Sequence, residues 1–157
     1  MVALPLLNTF VMKNVRTDAP HMPTKSELTL KFPNGILGFD QAKEFSLHPA
    51  APGSLYLWLE LASQPGHGFV VVSPASCAPG YAPDISQPDV EFLGLQSPDD
   101  AFVLNIVTLR DSGEATANLR APLVLNRHTL VGKQCVPANV STFNIQHPIQ
   151  SLAAAAA

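Results

Sequence analysis

An all-β fold, a small antiparallel β-barrel or sandwich of short strands with little helix, follows from three features of this sequence. Fifteen prolines and nine glycines interrupt the 157 residues every few positions, which leaves little room for long helices and suits strands joined by turns. Residues 27–32 alternate, with Leu28, Leu30 and Phe32 on one face and Glu27, Thr29 and Lys31 on the other, the period-two pattern of a half-buried strand. Residues 101–109 carry Phe102, Val103, Leu104, Ile106 and Val107 in close succession, as expected of a central strand buried on both faces.

The remaining elements follow the same logic. Residues 55–61 and 69–72 are apolar runs separated by Ser-Gln-Pro-Gly-His-Gly, whose composition suits a hairpin loop. Residues 89–96 fit a short strand or one helical turn equally well. After 101–109, Asp111-Ser112-Gly113-Glu114 supplies turn chemistry, and residues 115–126 read as a strand or strand pair with Pro122 inside it. Proline cannot donate to a ladder, so Pro122 should mark a bulge, a break or an edge. Residues 133–136 and 142–145 complete the set. Phe102, Leu104, Ile106, Phe69, Val71 and Trp58 are the expected core. One β domain over residues 25–150 is expected, with a lead at 1–24 and a low-complexity tail at 151–157 outside it.

Charge and composition narrow the function classes. Charged residues are 13% of the chain against 46% apolar, so a folded monomer must present uncharged surface, which favours an interaction protein. The net charge is -3 and no basic run exists to follow a phosphate backbone, so direct nucleic-acid binding is disfavoured. Between Asp84 and Glu114 seven acids stand against Arg110 alone, a local net of -6, suited either to solvated turns or to a basic partner. No apolar run approaches the ~20 residues of a membrane span, and with no secretion signal the expected compartment is the cytoplasm. Cys77 and Cys135 belong to no metal or redox motif and should stay reduced.

Catalytic signatures are missing from the sequence. It has no G-x-S-x-G elbow, H-E-x-x-H, P-loop or dinucleotide fingerprint, and the five histidines never fall at i, i+2 or i, i+4 spacing. Asp99 and Asp100 are paired carboxylates, but Ser97-Pro98-Asp99-Asp100 has the composition of a capped turn. Neither an enzyme nor a cofactor is expected. The competing reading is a β-barrel that holds a small ligand or performs hydrolysis, which a deep polar pocket would favour.

Three stretches are more specific than composition explains: Phe32-Pro33-Asn34-Gly35-Ile36-Leu37-Gly38-Phe39, Thr116-Ala117-Asn118-Leu119-Arg120-Ala121-Pro122-Leu123-Val124-Leu125-Asn126, and Gly132-Lys133-Gln134. With residues 69–74 and 103–108 they resemble, in order and spacing, the flagellar assembly factor FliW family. Phe32, Pro33, Gly35, Gly38, Phe39 and Pro122 read as the structural part of these motifs, a corner in which Ile36, Leu37 and Phe39 pack inward. Asn118 and Asn126 flank the Pro122 interruption, where their amides can satisfy backbone groups or meet a partner. The resemblance implies a small barrel-like domain, a monomer when unbound, that binds newly made flagellin. When flagellin is scarce it implies binding of the translational regulator CsrA, which carries basic RNA-binding surfaces. Asp99, Asp100, Asn118, Asn126 and Gln134 are the candidate partner contacts.

Overall fold

The structure is a computed structural model that describes residues 10–11 and 28–149. Along the chain its strands are β1 (Phe10–Val11), β2 (Leu28–Lys31), β3 (Glu44–Pro49), β4 (Tyr56–Leu61), β5 (Gly68–Val72), β6 (Asp84–Ile85), β7 (Ala101–Leu109), β8 (Ala115–Ala117), β9 (Leu123–Asn126), β10 (Gly132–Gln134) and β11 (His147–Ile149). One helix, α1 (Gln87–Leu93), precedes β7. Among the described residues every strand-to-strand ladder is antiparallel, so the fold class agrees with the sequence.

The main sheet runs β2-β3-β4-β5-β7-β9-β10, with β8 on β7 and β11 on β8. Its two end strands meet through a parallel bridge between Lys31 and Val131, where the Lys31 N–H donates to the Leu130 carbonyl at 3.0 Å. The next rung of that parallel ladder needs an amide N–H at residue 33, and Pro33 has none. The sheet is therefore a barrel left unclosed, and closure stops at the Phe-Pro step of the first motif.

Alternation along the strands builds a core on each face. Phe102 and Leu104 of β7 and Leu123 and Leu125 of β9 join Phe32, Phe45, Leu59 and Val71 inside the curl. Val103, Val107 and Val124 point the other way, beneath Tyr81, Ile85, Val90 and Leu93 of the crossover from β5 to β7. Burial of each such side chain stabilises the fold by about 1.5–3 kcal/mol. Phe32 meets Phe45 edge to face at 5.4 Å. Gly132 lets β10 close on that ring, because a Cβ there would lie 2.8 Å from the Phe32 ring carbons.

Pro122 sits where the ladder breaks. Ala117 faces Val107 and Leu123 faces Leu104, so six steps of the returning chain span three of β7 and three residues loop out between β8 and β9. Of residues 89–96, which fitted strand or helix equally, 89–93 lie in α1, because Ser86 accepts from the Asp89 N–H at 3.4 Å, Pro88 occupies the first turn, and Gly94 ends the helix in the left-handed region at φ 67°.

The structure differs from the sequence reading in several places. β3 has no counterpart in it, since Phe45 and Leu47 give only two apolar positions before Pro49. No strand forms at 142–145 as expected: Thr142 ends a 3₁₀ turn, Val140–Thr142, and strand pairing begins only at His147. Trp58, Phe69 and Ile106 are half-buried rather than buried, and Leu37 and Phe39 point outward. Within the expected lead, β1 pairs with β6. The rest of 1–24 and the tail 151–157 lie outside the described residues.

Candidate protein-binding site

After β2 the chain makes two tight turns, with Gly35 N–H donating to the Phe32 carbonyl at 2.8 Å and Phe39 N–H to the Ile36 carbonyl at 2.6 Å. Gly35 and Gly38 stand at φ +69° and +85°, backbone that side-chain-bearing residues resist. Ile36 anchors this tip in the inner core, while Leu37 is 82% exposed and Phe39 44%. Phe39 rests edge-on against Phe69 at 5.0 Å. Contrary to the inward packing expected of all three, the tip presents Leu37 and Phe39 to solvent.

Gln134 braces the tip. Its Oε1 accepts the Leu37 N–H at 2.8 Å across 97 residues of sequence, and its Nε2 donates to the Ala121 carbonyl at 3.4 Å. The three motifs singled out in the sequence thus meet at one side chain, which holds the tip to the bulge before Pro122. The bulge is itself internally satisfied. Asn118 Oδ1 accepts from the Arg120 and Ala121 amides at 2.9 and 3.2 Å, Asn105 donates to the Asn118 carbonyl at 2.9 Å, and Tyr81 donates to the Leu119 carbonyl at 2.6 Å. Burial pushes the Tyr81 phenol well above its ordinary range, so it remains a donor.

The other candidate contacts divide by accessibility. Asn126 is buried, donating to the Leu93 carbonyl at 2.8 Å and accepting from the His128 and Thr129 amides, so a partner would feel it only through the turn it holds. Asp100 Oδ2 accepts from the Gln96 and Ser97 amides at 2.9 and 3.0 Å, and Oδ1 lies 3.1 Å from His128 Nε2. Those amide bonds hold the Asp100 carboxyl below the usual carboxylate range. It closes the turn Pro98–Asp100, in which Asp99 is exposed. Asp89 is buried and paired with Lys133, which ties α1 to β10. The acidic segment is therefore not one continuous charged face.

A cleft of about 300 Å³ opens beside Leu55, Tyr56, Val72, Ser76, Cys77, Pro148 and Ile149. Burial raises the Cys77 thiol, which leaves it protonated and a poor nucleophile at neutral pH. Both cysteines are free. Among the described residues no group of three His, Cys, Asp or Glu could hold a metal, and no helix is long and apolar enough to cross a membrane.

The sequence profile of the family described as FliW protein matches residues 14–149. The chain belongs to the FliW family. The flagellar assembly factor FliW of Bacillus subtilis (strain 168) is 33% identical over 129 residues, covering 82% of this chain and 90% of that protein. That of Leptospira biflexa serovar Patoc is 36% identical over 113 residues, covering 71% and 74%. A crystal structure of the flagellar assembly factor FliW superposes with a TM-score of 0.67 at 31% identity, over 79% of this chain and 84% of that one. FliW family membership agrees with the resemblance carried by the three motifs, and the geometry adds that those motifs form one braced surface.

Proposed function

We propose that this FliW family member works by protein binding, without catalysis or cofactor. It binds flagellin and, in competition, the translational regulator CsrA in the cytoplasm, and so couples flagellin synthesis to filament assembly. The exposure of Leu37 carries this reading. A leucine held 82% exposed on a turn braced by Gln134 gains nothing inside its own chain, and its apolar surface is removed from water only when a partner covers it. With Phe39 and Phe69 beside it, the tip suits flagellin, through an apolar contact that salt affects little. Gln134 supports that contact by position, since its amide is engaged within the chain.

Leu37→Asp tests the reading directly. In titration calorimetry against the cognate flagellin it should weaken binding at least about ten-fold, the loss of about 1.5–3 kcal/mol for a leucine no longer buried on binding. The thermal midpoint of the free protein should barely move, because Leu37 contributes little burial to the fold. Unchanged flagellin affinity in a folded Leu37→Asp variant would refute the assignment of the tip.

A further inference from the structure

Trp58 is the one tryptophan of the chain, and among the described residues it belongs to neither core. It lies half-buried on the outer face of β4, with His48 of β3 directly opposite on one side and Val70 of β5 on the other. Its indole N–H donates to Glu60 Oε2 at 2.9 Å, two residues along the same face. Gly68 stands opposite Glu60 on β5. A Cβ there would come within 2.1 Å of the Leu59 carbonyl oxygen, so β4 backbone fills the place of a side chain at this position and no residue of β5 projects beside Glu60. A large aromatic thus lies half-buried on a sheet face outside both cores, with the edge of its ring held by a carboxylate.

Both halves of this pair attract the same chemistry. An indole face is the strongest of the aromatic faces for a cation, and a carboxylate bonded at the ring's edge adds a full negative charge beside it. A guanidinium is planar and weakly hydrated, and can stack on the ring while pairing with the carboxylate, which a compact ammonium does less well. We propose that Trp58 and Glu60 on the outer face of β4 form a docking site for an arginine side chain of a basic protein partner. Resting on the reading above, that partner is CsrA, the basic one of the two. Complementary charge argues for this occupant. Asp89 and Asp100 of the acidic segment are engaged by Lys133 and by backbone amides, whereas Glu60 is held toward the outer face by an uncharged donor. The tip and this site then give the two partners separate first contacts.

The test uses the full chain with two probes. Trp58→Leu and Glu60→Gln should each weaken association with the cognate CsrA about ten-fold at low salt, and Trp58→Phe, which keeps an aromatic face in the same strand, should lose less. Hexa-arginine, which has no tryptophan, should quench Trp58 emission, and the same peptide made of citrulline should not. If CsrA binds Trp58→Leu and Glu60→Gln as well as the parent, the docking site is overturned while the functional reading stands. If CsrA forms no complex with the parent protein, the functional reading fails for that partner. The peptide titration then decides the site by itself: quenching that Glu60→Gln abolishes upholds it, and its absence overturns it.

Discussion

Alanine at Gly35 and at Gly38 should cost very different amounts, although the two glycines share one motif and similar backbone angles. Both stand at positive φ, +69° and +85°, where a side chain costs roughly 1–2 kcal/mol. At Gly38 that is the whole cost, because nothing lies within 4 Å of an added Cβ. At Gly35 the Cβ would stand 2.7 Å from Asp40 Cα, 2.7 Å from the Phe39 carbonyl oxygen and 2.8 Å from the Asp40 carbonyl oxygen. These are backbone atoms that cannot rotate away, and relieving such overlap costs roughly 1–3 kcal/mol more. Gly38→Ala should therefore lose about 1–2 kcal/mol and Gly35→Ala about 2–5 kcal/mol. Urea unfolding followed by Trp58 fluorescence measures both on one scale. Equal losses in the two variants would show that the tip is not packed against residues 39–40 as described. Gly35→Ala should also displace Leu37 and reduce flagellin binding beyond its effect on stability.

Two further outcomes follow from the buried and capping polar groups. Asn126→Ala should destabilise by about 2–4 kcal/mol in thermal unfolding, because it strands the Leu93 carbonyl and the His128 and Thr129 amides together; a loss below about 1 kcal/mol would mean that water replaces them. Asp100 has a lowered folded pKa, first from the Gln96 amide, then from that of Ser97, so its stabilisation is present above the ordinary carboxylate range and is lost as pH falls through the lowered value. The unfolding midpoint of Asp100→Asn should accordingly lie below the parent's at neutral pH and converge on it in acid, below the ordinary carboxylate range. A gap that persists in acid would show that the carboxylate's charge is not what stabilises the turn.

Local chemistry made much of this protein legible from its sequence. Proline and glycine spacing excluded long helices, the two-sided apolar run of β7 announced a strand between two cores, and Pro122 marked the break that separates β8 from β9. These signals are legible because each depends on a residue and its immediate neighbours: a missing N–H, a φ preference, an alternation of two. The motif spacing likewise pointed to the FliW family, which the comparisons bear out.

The tertiary structure decided what depends on distant partners. Alternation shows which residues share a face but not which face another layer covers, so Trp58 reads as core in the sequence and stands on an outer surface in the fold. The outward turn of Leu37 depends on an amide 97 residues away, and Asp89 becomes a buried ion-pair partner only because β10 brings Lys133 beneath α1. Asp99 and Asp100 looked equivalent as adjacent carboxylates, yet Asp100 is folded back onto the Gln96 and Ser97 amides. A sequence records which groups can bond and pack. Which of them are left facing water for a partner is settled only when every strand has found its neighbour.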